Sequence, residues 1–299
     1  MSDEMAIYFD SSKCTACRGC QVACKVWNEL PSPIDFNAGE FTGTYQNPPD
    51  LNPDTRLIIT FDERDRENAH GVDWAFGRRS CMHCTNAECV RVCPSGALRY
   101  DEKGAGFVIY DKDTCIGCQY CRTACPFEVP RHTGVNVAGN ATVINKCTAC
   151  FDRIRHGKKP ACVSTCQPGA LQFGKRDKMI EKAKKRVEVL KGKGFDQARV
   201  YGETEMGGLH VISVLQYDIS QYQGYVDNPS ASGTTDALGV MKPVAAVAAV
   251  GIVAGLGISR LASTGYKRDR QYYDEQHNDV IDVDKDVVMK HIDKEKGER

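Results

Sequence analysis

Nothing in this sequence reads as a substrate-handling site. Its 299 residues contain no G-x-G-x-x-G fingerprint, no P-loop, no H-E-x-x-H and no G-x-S-x-G. Those absences remove the dinucleotide, phosphate-cradle, zinc-peptidase and serine-hydrolase readings. An excess of one charge is also missing, since Lys+Arg and Asp+Glu both number 39. No global basic field draws in nucleic acid, which is not expected as a partner. The first residues, Met1 to Phe9, carry Asp3 and Glu4 and lack the basic region and long apolar stretch of a secretory leader. Export is therefore expected to depend on another protein's signal.

Cysteine is what the chain has in quantity. Sixteen in a chain of this size mean disulfides, metal or clusters rather than packing, and their spacing chooses among these. They fall into four runs of four: Cys14, Cys17, Cys20 and Cys24; Cys81, Cys84, Cys89 and Cys93; Cys115, Cys118, Cys121 and Cys125; Cys147, Cys150, Cys162 and Cys166. Runs one and three are C-x2-C-x2-C-x3-C, while runs two and four are stretched before the third cysteine. The flanks repeat too. Ile7-Tyr8-Phe9-Asp10 precedes run one as Val108-Ile109-Tyr110-Asp111 precedes run three, each a short β-rich stretch. Pro94 to Tyr100 after run two matches Gln167 to Phe173 after run four. An internal duplication is the simplest account.

Thiolates two and three residues apart can converge on one inorganic centre, whereas a disulfide between such near neighbours is sterically awkward. Zinc is the competing metal, but a structural zinc site takes two C-x2-C knuckles rather than three cysteines in one tight turn. The compact runs, with Pro94 and Pro126 directly after the fourth cysteine in runs two and three, resemble bacterial ferredoxin. There the first three thiolates hold one 4Fe-4S cluster and the fourth reaches across to another. The stretch from Cys81 to Pro126 resembles a complete two-cluster ferredoxin, so runs two and three are expected to pair, leaving runs one and four. By the crossed-ligand rule the quartets are Cys81, Cys84, Cys89 with Cys125; Cys115, Cys118, Cys121 with Cys93; Cys14, Cys17, Cys20 with Cys166; and Cys147, Cys150, Cys162 with Cys24. Sequential pairing, one with two and three with four, remains the alternative. The expected fold is α+β, two ferredoxin-like dicluster units related by internal duplication, plus one C-terminal transmembrane helix. Residues 1–80 and 127–226 form one unit, and 81–126 form the inserted second.

The rest of the chain supplies fittings. Asn47 to Thr55, with three prolines, reads as a surface loop; Asp177 to Lys191 as a charged helix with Asp177 as N-cap and Gly192 as its stop; Gly207 to Leu215 as a buried strand. His210 reads as packing, Trp27 as packing rather than an electron relay, and His83 as a loop histidine rather than a ligand. Lys13, Arg18 and Lys25 read as solvated charge. Residues 227–237 are a linker. In 238–262 the stretch Pro243 to Ile258 has no charge, and with Lys242 and Arg260 snorkelling at its ends it is expected to span a membrane once. Residues 263–299 form a charged tail, partly helical or disordered.

The residues Lys13 to Asn28, with Arg79-Ser80-Cys81-Met82-His83-Cys84 and the other runs, resemble the beta subunit of membrane-bound formate dehydrogenase, one of the four-cluster subunits of molybdopterin oxidoreductases. Nitrate reductase subunits fit less well, because that family replaces a cysteine in run three and Cys118 is intact here. The resemblance implies four 4Fe-4S clusters and no catalytic site in this chain. It implies electrons received from a formate-oxidising alpha subunit with a molybdenum or tungsten pterin, and delivery to a cytochrome b-type gamma subunit and quinone. Arg260, Lys267, Arg268 and Arg270 after the apolar run point to a cytoplasmic C-terminus, and hence to an inner-membrane protein with its cluster domain in the periplasm. The equivalent subunit of a membrane hydrogenase, or of a dimethyl sulfoxide or other sulfur-compound reductase, is the alternative, and a zinc-stabilised scaffold the remote one.

Overall fold

Strand alternation sets the centre of the molecule. The computed structural model describes residues 4–31, 43–65, 71–101, 105–133, 143–230, 250–262, 264 and 270–292. By its internal contacts the chain divides into two units, Met1–Val240 and Met241–Arg299. The first runs β1 (Met5–Asp10), α1 (Gly19–Trp27), β2 (Leu57–Asp65), β3 (Val72–Ser80), α2 (Glu88–Arg91), β4 (Leu98–Tyr100), β5 (Val108–Tyr110), α3 (Tyr120–Ala124), β6 (Arg131–His132), β7 (Ile144–Asn145), α4 (Phe151–Arg155), α5 (Ala161–Ser164), β8 (Leu171–Lys175), α6 (Arg176–Lys191), β9 (Arg199–Tyr201) and β10 (Val211–Leu215). Four of these strands make one sheet in the order β8-β1-β10-β9, with β1 and β10 parallel and both outer strands antiparallel.

Both faces of that sheet are covered, as the almost continuous apolar runs of β1 and β10 require. Ala6, Tyr8, Ile212 and Val214 meet Ala183 and Leu190 of α6 on one face. The alternate residues Ile7, Phe9, Val211 and Leu215 join a core that contains Cys20, Cys24, Cys147 and Cys162 on the other. One face thus seats a helix and the other seats the thiols.

The duplication is visible as register. In the β1–β8 pair Phe9 faces Leu171 and Ile7 faces Phe173; in the β4–β5 hairpin Tyr110 faces Leu98 and Val108 faces Tyr100. These are the residues that the sequence repeat makes equivalent. Their flanking hydrogen bonds repeat as well, with Asp10 N–H donating to Ala170 C=O and Asp111 N–H to Ala97 C=O, both at 2.9 Å. The helices follow suit, α1 packing on α5 and α2 on α3.

Three details differ from expectation. Helix α6 begins at Arg176, with Lys175 in the cap position and no side-chain cap, so Asp177 lies inside the first turn, where its charge complements the helix dipole. The strand expected from Gly207 is shorter, because Gly207 and Gly208 have φ of 73° and 107° and break it before Val211. In the second unit, the expected helical or disordered tail contains a three-stranded antiparallel sheet, β11 (Gln271–Asp274), β12 (Asp279–Asp282) and β13 (Val287–His291). Tyr272 faces Ile281 and Tyr273 faces Val280, and the turns use Asn278 and Asp286 at positive φ, which Asn and Asp tolerate. The high charge of the segment masked these β-formers.

The expected span at 238–262 falls partly outside the described residues, which omit 238–249. Residues 250–262 are helical and exposed, shorter alone than the ~20 residues a bilayer span takes. Among the described residues no helix is long and apolar enough to cross a membrane.

Two glycines separate backbone strain from crowding. At Gly157 (φ 69°) an added Cβ meets nothing, whereas at Gly106 (φ 88°) it falls 1.9 Å from His210 Nε2. Gly157→Ala is expected to cost roughly 1–2 kcal/mol, and Gly106→Ala at least about 3 kcal/mol because overpacking adds to the strain. Chemical denaturation reads the difference; equal midpoints for the two variants contradict the packing described for Gly106.

Candidate metal centre

Each run of cysteines bends in the same way. The residue before the second cysteine lies in the left-handed region in all four: Ala16 (φ 50°), His83 (51°), Gly117 (70°) and Ala149 (55°). In runs one and three Arg18 (59°) and Gln119 (62°) repeat it, each at the N-cap of the helix that carries the third cysteine. Such conformations cost about 1–2 kcal/mol for a residue with a Cβ, and they persist where the surroundings fix them. Here they curl the loops so that amide N–H groups approach the sulfurs. Ala149 N–H donates to Cys147 Sγ at 3.3 Å, and Leu171 N–H to Cys166 Sγ at 3.2 Å.

The loops bring the thiols together in fours. Cys14, Cys17, Cys20 and Cys166 line one cavity, with Phe9, Ile59 and Leu171 among its walls. A second is lined by Cys24, Cys147, Cys150 and Cys162, and a third by Cys93, Cys115, Cys118 and Cys121. All three are small and lined almost wholly by apolar atoms and sulfur. Cys84 lies in the electrostatic reach of Cys81, Cys125 and Cys89, which makes the fourth set. Every set takes its fourth thiol from a different run.

Four thiols spread around one apolar cavity suit a polynuclear iron-sulfur group. A lone tetrahedral zinc, with Zn–S bonds of ≈ 2.3 Å, would draw its four ligands onto one ion and leave no such space. Burial pushes the Cys14 thiol up to about 11 and the Cys20, Cys121 and Cys150 thiols to about 12, with neighbouring thiols adding to the rise. Thiols in this condition stay protonated at neutral pH unless a cation replaces the proton. Cys93 behaves differently: burial raises it, but hydrogen bonds from Leu98, Ser95 and Ala97 outweigh burial and lower its pKa.

Similar proteins give the family. The 4Fe-4S dicluster domain family matches residues 72–176. The iron-sulfur subunit of nitrate-inducible formate dehydrogenase from Escherichia coli (strain K12) is 36% identical over 257 residues, covering 85% of this chain and 83% of that protein. The beta subunit of formate dehydrogenase 2 (cytochrome c-553) from Nitratidesulfovibrio vulgaris is 34% identical over 227 residues, 74% of this chain and 99% of that one. A subunit of the anaerobic dimethyl sulfoxide reductase of Escherichia coli (strain K12) is 35% identical over 188 residues, 61% and 78% of the two. The chain belongs to the family of formate dehydrogenase iron-sulfur subunits.

In this iron-sulfur subunit the polar residues around the thiols are held by the protein itself. His83 is buried, and its Nδ1 accepts the Val108 N–H at 3.1 Å, so its proton sits on Nε2, which has no partner among the described residues. Burial and the charges of Lys146 and Arg78 keep its pKa well below the usual range. His210 packs against Phe107, with its Nδ1 2.9 Å from the His83 carbonyl. Lys25 donates to the Asp54 and Pro31 carbonyls, Arg18 lies over the Phe61 ring, and Trp27 stacks under Arg153 while its Nε1 donates to Asp152. Lys13 is exposed.

Among the described residues four buried cations escaped the sequence, and one of them, Arg56, donates to Asn145 Oδ1, Asn28 Oδ1 and the Tyr110 hydroxyl. Lys146 is 2% exposed and donates to the Val108 and Cys147 carbonyls at 2.6 and 2.9 Å. Arg78 is 0% exposed and lines the cavity of Cys24, Cys147, Cys150 and Cys162. Strand alternation turns Arg78 and Arg79 to opposite faces of β3, and both are buried. Arg79 and Arg131 both pair with Asp50, at 2.5 and 2.6 Å.

Thiol accessibility gives a direct check. Cys17 and Cys118 are exposed, whereas Cys20, Cys24, Cys81, Cys121, Cys147, Cys150 and Cys162 are buried. In metal-free protein at pH 8, iodoacetamide is expected to label Cys17, Cys118 and Cys93 first. Labelling of Cys14 and Cys20 should climb about tenfold per pH unit as their thiolate fractions rise. Peptide mass spectrometry reads the order, and uniform labelling of all sixteen at pH 8 contradicts it.

Proposed function

We propose that this chain is a four-cluster electron wire that takes electrons from a formate-oxidising molybdenum or tungsten subunit and passes them to a membrane cytochrome b and quinone. The observation that carries it is the sequence of the thiol quartets in space. Cys20 feels the charge of Cys162, Cys81 that of Cys147, and Cys89 that of Cys121. Each quartet therefore adjoins the next. The set of Cys14, Cys17, Cys20 and Cys166 comes first, followed by that of Cys24, Cys147, Cys150 and Cys162. Next is Cys81, Cys84, Cys89 and Cys125, and last Cys93, Cys115, Cys118 and Cys121. The exposed cysteines, Cys17 and Cys118, belong to the two end quartets.

In this reading all sixteen cysteines are iron ligands, divided between two ferredoxin-like units, residues 1–80 with 127–226 and residues 81–126. When bound, 4Fe-4S clusters supply one-electron oxidation and reduction. The chain's own work is to hold and insulate them. Curled loops fix the sulfurs, amides such as those of Ala149 and Leu171 donate to them, and Phe9, Ile59, Leu57 and Leu171 line the cavities against water. No residue has to move, and no proton has to be transferred, for charge to pass.

Formate is favoured over other substrates of the family because the formate dehydrogenase subunit of Escherichia coli matches 85% of this chain, against 61% for the dimethyl sulfoxide reductase subunit. A hydrogenase reading is second, on a 33% identical match over 237 residues to a hydrogenase-2 operon protein. Residues 238–262 supply the membrane anchor in this proposal, with the clusters in the periplasm and the C-terminus in the cytoplasm.

Anaerobic purification of the native complex tests the whole reading. About sixteen irons per chain are expected, four in each of four clusters, together with reducible EPR signals and reduction by formate but not hydrogen. Deleting residues 238–299 should move the iron-loaded chain from washed membranes to the soluble fraction. Stoichiometric zinc without iron overturns the wire, a complex inert to formate and reduced by hydrogen overturns the substrate, and an unchanged membrane fraction overturns the anchor.

A further inference from the structure

We propose that Arg78 is the shared counter-charge of two neighbouring clusters, those held by Cys14, Cys17, Cys20 and Cys166 and by Cys24, Cys147, Cys150 and Cys162, and that it raises the reduction potential of both. The inference rests on the cluster reading above and concerns how this chain tunes it.

Arg78 sits where only an anion makes sense of it. Its side chain is fully buried, and Nε and both terminal nitrogens have no hydrogen-bond partner among the described residues. A guanidinium keeps its charge under all ordinary conditions and carries five N–H donors, so complete burial without partners is costly. Tyr225, buried beside it, spends its hydroxyl on Ser213 at 3.0 Å. Lys146, another buried cation, is satisfied by two carbonyls. Arg79, next in sequence, is paired with Asp50. Arg56 lines the same cavity but donates to Asn145, Asn28 and Tyr110, so among the described buried cations Arg78 alone faces sulfur with no hydrogen-bond partner.

Its position is between two quartets. Arg78 lines the cavity of Cys24, Cys147, Cys150 and Cys162, while Ile59, its partner across the β2–β3 hairpin, lines that of Cys14, Cys17, Cys20 and Cys166. Cys162 and Cys147 of one quartet and Cys20 of the other all lie within electrostatic reach of its guanidinium. At Cys162 both its charge and its side-chain N–H groups oppose the effect of burial on the thiol.

Four thiolates outweigh the charge of the iron-sulfide core, so each loaded site is net anionic and more so after gaining an electron. A fixed cation in a low-dielectric setting stabilises the reduced form more than the oxidised one. One electron enters and one leaves; no bond changes, and Arg78 keeps its proton throughout. Sharing one cation between adjacent sites lifts both potentials together and keeps the step between them small.

The test is an EPR-monitored redox titration of the intact complex carrying Arg78→Met or Arg78→Lys. With iron content at the wild-type level, Arg78→Met should lower two of the four midpoint potentials most, shift that of the Cys81 quartet less, because Arg78 reaches Cys81 more weakly, and leave the fourth unchanged. The reduced-to-oxidised ratio at fixed potential should fall at least tenfold for each of the first two, which is 59 mV for a one-electron couple. Arg78→Lys should restore most of the shift. Four unchanged potentials in an iron-loaded Met variant overturn the role of Arg78 while leaving the wire intact; absence of iron from the wild-type complex overturns the wire itself. Should the Met variant fail to load iron, the Lys variant decides. Full iron with two potentials near wild type supports the counter-charge, and iron loss equal to that of Met assigns Arg78 to packing.

Discussion

Each thiol quartet borrows its fourth sulfur from another run of the chain, and the rest of the fold is arranged around that constraint. Cys166 must reach Cys14, Cys17 and Cys20, and Cys24 must reach Cys147, Cys150 and Cys162. Segments more than a hundred residues apart are thereby held at one place. The β1–β8 pairing and the packing of α1 on α5 are the backbone expression of the same requirement. Within residues 81–126 the β4–β5 hairpin and the α2–α3 contact meet it again on a smaller scale. The equivalent registers of the two strand pairs show one solution used twice.

Burial of so much sulfur has an electrostatic side. Thiols pushed up to about 11 or 12 by burial and by one another cannot ionise unaided. An iron core that replaces their protons converts that liability into binding free energy, because metal binding and folding are then one process. The left-handed residues Ala16, His83 and Ala149 are the conformational counterpart, local strain tolerated because it aims amides and sulfurs inward. The enclosure buries Cys24, Cys147, Cys150 and Cys162 together and leaves Cys17 and Cys118 exposed.

Much of this was legible in the sequence, because cysteine spacing is a local property and thiols have few uses. The four runs, the duplicated flanks and the strand before each compact run could be read directly. What escaped depends on tertiary position. Nothing in Arg78-Arg79-Ser80 says that both arginines are buried, Arg79 against Asp50 and Arg78 beside the thiols, until β3 is paired with β2 and its faces are assigned. Lys146 looks like any lysine beside a cysteine until its ammonium is found between two carbonyls. The C-terminal sheet was hidden by charge, since Asp279, Asp282, Asp284 and Lys285 outweigh the short β-forming stretches between them in any compositional reading. Membership of the formate dehydrogenase iron-sulfur subunits accounts for the cysteine pattern, but it leaves the buried cations to be found in the structure.

The most direct test of the central claim is anomalous diffraction from anaerobic crystals of the complex, with data on either side of the iron absorption edge. The account predicts four compact iron centres in this chain, one inside each quartet, with Cys166 on the centre of Cys14, Cys17 and Cys20 and Cys24 on that of Cys147, Cys150 and Cys162. Iron centres bounded by four cysteines of a single run, or single metal ions with a zinc edge, would contradict it.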